Sequence, residues 1–145
     1  KIFFSGLRSA ELELIAMESA YHLGENKEAL DLLNDFRKHR IKDYVPYTME
    51  TLPAVDTDDI IKVDAEGKSL TPLIYAILCE RRKELFLEGD RFTELKRNGR
   101  PEFWVMNKGL KYTTYKFMYT FALPAGDIQL NPALQQNPGY TEIEY

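Results

Sequence analysis

Between Thr71 and Gly99 the sequence TPLIYAILCERRKELFLEGDRFTELKRNG narrows what this chain can become. Thr71 is placed to cap a helix, and Pro72 occupies the first helical position, where an N–H would have had no partner. Leu73, Ile74, Ala76, Ile77 and Leu78 then cover most of the circumference. A helix that is apolar nearly all round is a buried one. The same stretch carries Glu80, Arg81, Glu84, Glu88 and Arg91, and charges beside a core must be paired or they destabilise it. Arg81 stands three before Glu84, and Glu88 three before Arg91, so the spacing predicts short-range pairs and a structural ion-pair network. Gly89 ends the first helix, and Phe92, Leu95 and Gly99 mark a second, shorter one.

Upstream, Leu7, Ala10, Leu14, Met17 and Tyr21 recur at helical steps and Gly24 closes the run. Asn26 is placed to cap a following helix with Ala29, Leu30, Leu33 and Phe36 inward and basic Lys38, His39 and Arg40 at its end. The two form an αα-hairpin about the size of one tetratricopeptide unit, with no second copy in the chain. A lone hairpin cannot bury its apolar face, so it must stack on other helices. Residues 41–70 read as a long connection with Pro46, Pro53, an acidic run at Asp56, Asp58 and Asp59, and a turn at Ala65–Gly67. Ile60, Ile61 and Val63 form a candidate short strand. Beyond Pro101, Phe103–Met106 reads as an apolar knot on irregular backbone, and Asn107–Lys108–Gly109 as a turn. Tyr115, Phe117, Tyr119 and Phe121 alternate with Lys116, Met118 and Thr120, a strand pattern.

The expected fold class is therefore mainly α: a tetratricopeptide-like helical hairpin (1–40) packed on a buried helix, with long loops and a little β in the C-terminal part (41–145), the two forming one continuous domain. A length of 145 residues suffices for one core. A net charge of −4 argues against nucleic acid and against an anionic membrane surface as partners. Cys79 is the one cysteine, so no intrachain disulfide can form, and it reads as a small core residue. The chain begins at Lys1 and enters an amphipathic pattern almost at once, as a piece of a longer protein does, so the lack of a signal peptide says nothing of location.

Three blocks resemble the SusD/RagB family. The first is Glu80, Arg81, Glu84, Leu85, Glu88, Gly89, Arg91, Leu95 and Arg97 in ERRKELFLEGDRFTELKR. The second is Arg8, Ala10, Glu11, Leu14, Ile15, Glu18 and Ala20, followed by Ala29, Leu30, Leu33, Asn34, Arg37 and Arg40. The third is LPAGDIQLNPALQQNPGY, sharing Pro124, Ile128, Asn131, Pro132, Leu134 and the run Gln136–Tyr140, with Leu123 for the usual Ile, Asp127 for Glu, and Ala122 where a further Pro often stands. Rigid Asn-Pro turns pin this tail, with Leu134 and Tyr140 as plugs. The resemblance implies the C-terminal part of a surface lipoprotein of the outer membrane of Bacteroidota, ending at the natural C-terminus, with the hairpin's stacking partners and the lipid anchor lying before Lys1. It implies capture of oligosaccharides, or in some branches oligopeptides, for a SusC-like TonB-dependent transporter.

Site expectations follow. Glu80, Glu84 and Glu88 lie four apart on one helix face. A glycosidase needs two carboxyl groups flanking the scissile bond from opposed positions, roughly 5–10 Å apart, so the stripe reads as structural and no catalytic residue is assigned. His22 and His39 are not placed as E-x-x-H ligands, and no metal or other cofactor is expected. Trp104, Tyr112 and the strand tyrosines compete between core packing and sugar stacking, and the loop aromatics Tyr44, Tyr47 and Trp104 are the ligand-binding candidates. Two other readings stand beside the nutrient-binding one: a generic helical-repeat scaffold, resting on the hairpin, and a carboxylate hydrolase, resting on the glutamates.

Overall fold

The computed structural model describes residues 8–140, so Leu7 and the final residues 141–145 lie outside the described part. Within it, α3 (Pro72–Glu84) is the rod that the sequence predicts, with Leu73, Ile74, Ala76, Ile77 and Leu78 all buried. Thr71 is its cap residue in extended backbone, but its hydroxyl does not cap: Oγ1 donates to the Tyr21 hydroxyl at 3.0 Å, tying the start of α3 to α1 (Ser9–His22).

α1 and α2 (Asn26–Lys38) form the expected helical hairpin. Gly24, at φ +84°, takes the left-handed conformation, and the Glu25 and Gly24 N–H groups close back on the Ala20 and Tyr21 carbonyls. That is a Schellman ending, which a residue with a Cβ adopts only under strain. Glu25, not Asn26, is the cap residue of α2, and Asn26 is already helical. Ala10, Leu14 and Met17 face Ala29, Leu30, Leu33, Phe36 and the apolar side of α3 in one core. The hairpin's stripe is thus covered by α3 of the same chain, which leaves Leu12 and Ile15 as exposed apolar side chains on α1. Each fully buried Leu or Ile stabilises the core by about 1.5–3 kcal/mol.

The 41–70 connection contains no strand among its described residues. Ile61 is buried, Val63 makes a single antiparallel bridge to Ser69, and the intervening turn is fixed by Asp64, whose Oδ1 accepts from the Glu66 and Lys68 N–H groups. The Asp carboxylate competes with ladder formation here, so Ile60–Val63 stays irregular. α4 (Asp90–Arg97) is the short second helix, and it ends at Gly99, where a Cβ would meet Val63 Cγ2 at 2.5 Å. Cys79 is half-buried rather than internal.

Two expectations in the C-terminal part change places. Phe103–Asn107 is not an irregular knot but strand β1, paired antiparallel with β2 (Leu110–Thr114). Lys108 and Gly109, both at positive φ, make the two-residue turn whose twist suits a hairpin. Residues 116–119, read as strand from their alternation, form a 3-10 turn instead. Tertiary packing overrides the period-two signal: Tyr119 is buried with its hydroxyl donating to the Pro101 carbonyl at 2.8 Å, while Phe117 packs edge-on against Tyr140 at 4.9 Å. A short α5 (Ala125–Leu130) follows. The architecture is mainly helical with one small two-stranded sheet, as the sequence predicts.

Candidate functional site

The charged residues of the central stretch surround the C-terminal end of α3. Glu80 is buried and receives Lys83 Nζ at 2.9 Å, with Arg37 Nε at 3.6 Å. Arg81 forks onto Asp90, Nε to Oδ2 at 2.9 Å and Nη2 to Oδ1 at 2.6 Å. Glu84 is bound from two elements, by Arg8 Nη1 at 3.1 Å and Arg40 Nε at 2.8 Å. Arg8 also reaches Glu88 through both Nε and Nη2 at 2.9 Å. Arg91 holds the fully buried Glu94. The short-range pairs Arg81–Glu84 and Glu88–Arg91 do not form. The backbone reverses after Leu85, with Leu87 at φ +65° and Gly89 at φ +86°, and this brings Asp90 back onto Arg81, while Arg91 pairs with Glu94 three residues on within α4.

These pairings set the protonation states. Burial pushes the Glu84 carboxyl up, but hydrogen bonds from Arg40 and Arg8 outweigh it and hold the group below the usual carboxylate range. Burial pushes Glu94 above that range, and Arg91 only partly offsets it. Burial opposes the charge on Arg81, and Asp90 more than restores it. All three glutamates of the stripe are therefore occupied by cations: Arg37 of α2 and Lys83 of α3 at Glu80, Arg8 before α1 and Arg40 after α2 at Glu84, and Arg8 again at Glu88. Among the described residues no cluster of three or more His, Cys, Asp or Glu side chains is arranged to hold a metal. His22 approaches Glu18 and Glu66 at 3.9 and 3.7 Å, and His39 lies beside Asp35 on the surface of α2.

The three aromatic candidates separate into two places. Tyr44 and Tyr47 both lie over the Arg37 guanidinium, Tyr47 at 3.6 Å from ring centroid to Cζ and Tyr44 at 5.6 Å. Asn34 bonds both the N–H and the carbonyl of Tyr47 at 2.8 Å, so this segment is strapped to α2, and one face of the Tyr47 ring is taken. Trp104 stands apart on β1, 58% exposed, with Lys111 Nζ 5.2 Å from its ring centroid. In the ladder register Trp104 opposes Thr113 and Met106 opposes Lys111, which puts these four on one face and Val105 and Tyr112 on the other. The hairpin thus presents exposed apolar groups on both faces, including Met106 and Tyr112. Aromatic faces beside a cation and hydroxyls suit the C–H surface and the rim of a sugar ring.

Sequence reasoning passed over several residues that the site uses. Arg8 and Arg40 are quoted in the helical blocks, yet nothing local ties them to Glu84, which lies 76 and 44 residues away. Asp90 and Glu94 carry the partner charges expected of Glu84 and Glu88. In the tail, Gln136 bonds both the N–H and the carbonyl of Leu123, at 2.8 and 3.0 Å, and Asn137 Nδ2 donates to the Phe121 carbonyl at 2.6 Å. The QNPG run is a clasp that pairs with extended backbone as a neighbouring strand would. Tyr140 is half-buried, with its hydroxyl donating to Thr120, whereas Leu134 is more than a third exposed and plugs less than expected.

This is a helical scaffold bearing an arginine–carboxylate belt, an aromatic hairpin and a pinned tail. The family model described as the SusD family matches residues 3–140, and the chain belongs to that family. No curated protein and no solved structure matches it. Family membership supports a nutrient-binding outer-membrane protein in general, and the family's members bind rather than catalyse. No helix among the described residues is long and apolar enough to cross a membrane.

Proposed function

We propose that this chain is part of a surface-exposed lipoprotein that captures oligosaccharides for import through a SusC-like TonB-dependent transporter of the outer membrane. The family match over residues 3–140 carries the reading. In it, residues 1–40 serve as a tetratricopeptide-like unit, and residues 41–145 as the C-terminal region continuous with it. The exposed Trp104 ring, flanked by Lys111, is the sugar-stacking group on this part of the protein. Tyr44 and Tyr47 contribute the edges left free by Arg37. The test is an array of plant, host and starch-like oligosaccharides, alongside oligopeptides, probed with full-length protein and with Trp104→Ala. Retention of a glycan class that Trp104→Ala weakens about tenfold supports the reading, a loss of roughly 1.4 kcal/mol. Retention of oligopeptides alone overturns the glycan assignment while leaving nutrient binding in place.

A further inference from the structure

α1 ends on His22, and each nitrogen of its ring faces a carboxylate. Nε2 lies 3.9 Å from Glu18 Oε1, one turn back on α1, and Nδ1 lies 3.7 Å from Glu66 Oε1, in the turn that Asp64 fixes. The ring therefore spans α1 and the 64–69 turn. Neither nitrogen has a hydrogen-bond partner among the described residues, and both are shut off from solvent. An ionised carboxylate only accepts. Neutral imidazole has one N–H and one bare lone pair, so in this position it always sets a lone pair against one carboxylate. Imidazolium donates from both nitrogens and is the form that suits both neighbours. Charge-assisted N–H···O bonds run at about 2.7–2.9 Å, so roughly 1 Å of closure remains for the proton to drive. The other charged groups around the ring allow it. Asp64, Glu66 and Lys68 share one cleft with His22, and Glu18 and Arg97 share another: three carboxylates against two cations. Arg97 donates to Glu18, and Lys68 pairs with Glu66 through Oε2, which leaves Glu66 Oε1 open to His22. The hydrogen bond from Lys68 holds the Glu66 carboxyl below the usual carboxylate range, so it stays an acceptor where a histidine titrates. Tyr21 packs edge-on against the ring at 5.2 Å, its hydroxyl engaged by Thr71. The negative end of the α1 dipole also favours a cation at this position.

We propose that His22 is a proton-operated latch, which on protonation binds Glu18 and Glu66 together and fixes the 64–69 turn against the end of α1. The turn forms one wall of a cleft of about 470 Å³, with Tyr21, Met49, Leu52 and Leu73 among the residues opposite, so the latch sets how that wall stands. It does not depend on the glycan reading. Because the closed turn holds the proton, falling pH favours it and rising pH releases it. Amide hydrogen exchange of the full-length protein, followed by NMR and corrected for the intrinsic pH dependence, tests this. The reporters are the Glu66, Gly67 and Lys68 amides, whose hydrogen bonds close the turn. Their protection should rise about fivefold between about pH 7.5 and about pH 5.5. His22→Gln keeps a polar side chain but takes up no proton, and it should abolish the rise. Glu66→Gln should abolish it too, by removing the far partner. Lys68→Gln removes only the other cation on Glu66 and should keep the rise. A flat profile in the wild-type protein, an undiminished rise in either His22→Gln or Glu66→Gln, or loss of the rise in Lys68→Gln overturns the proposal.

Discussion

Arg81→Met is the perturbation that most sharply tests why the centre of this fold is charged. The wild-type guanidinium is 6% exposed and forks onto Asp90 at 2.9 and 2.6 Å, the Asp90 side chain itself being 14% exposed. Methionine keeps much of the aliphatic stem in the core but removes the charge that Asp90, Glu18 and Glu94 face. Breaking one partner of a buried pair costs about 3–5 kcal/mol. Against a total stability of roughly 5–15 kcal/mol this is a large fraction. At about 3–4 °C per kcal/mol for a domain of this length, Tm should fall by roughly 10–20 °C. Urea unfolding followed by far-UV circular dichroism is the assay, because Trp104 is too exposed for its fluorescence to report on the core. The double variant Arg81→Met with Asp90→Leu removes both charges and should recover much of the loss, as apolar replacements of buried pairs do. If Arg81→Met unfolds within about 1 kcal/mol of wild type, the pair is not a buried one and the reasoning fails.

Other consequences can be measured on the same material. Arg91→Ala should cost only about 1–2 kcal/mol by urea denaturation: the arginine is over a third exposed, and the Glu94 carboxyl left behind takes up a proton. For Glu84, held below its unfolded value, the stabilisation is present above about pH 4.5 and is lost as pH falls through the folded value, so Glu84→Gln should flatten the acid limb of the stability curve. Glu94 has the opposite sign: its folded value lies above the unfolded one, so the stability difference between Glu94→Gln and wild type should move in the variant's favour as pH rises from about 4.5 through the folded value. Gly139→Ala places a Cβ 2.4 Å from Phe117 at φ +92°, so amide exchange at residues 120–123 should speed up as the Gln136 clasp loosens, while the α1–α3 core stays protected.

What the sequence disclosed and what it hid divide along contact range. α3 was legible because apolar residues on every side leave a helix only one place to go, and Gly24, Gly89 and Gly99 mark their turns because the backbone there takes positive φ. The α1–α2 hairpin was legible from its periodicity, but the element that covers it was not, since α3 lies over 30 residues further on. Partner choice among the charges was hidden for the same reason. Spacing offers Glu84 to Arg81, whereas a reversal of the backbone at Leu87 and Gly89 delivers Asp90, and Arg8 and Arg40 arrive at Glu84 only through tertiary packing. The alternation of Tyr115 to Phe121 misled because those rings gather on Phe92, Phe117 and Tyr140 instead of lining a sheet. Trp104 was legible as a ligand candidate only by its residue type, because its strand and its neighbour Lys111 follow from the 107–110 turn, which fixes the register.

The nutrient-import reading is tested most directly by recovering the full-length protein, tagged, from detergent-solubilised outer membranes and identifying by mass spectrometry what comes with it. The account predicts a TonB-dependent transporter in near-stoichiometric amount, held by a polar contact that weakens with salt, as a lid that opens and closes requires. Recovery of the protein from the outer membrane without any such transporter, across repeated preparations in mild detergent, would contradict it.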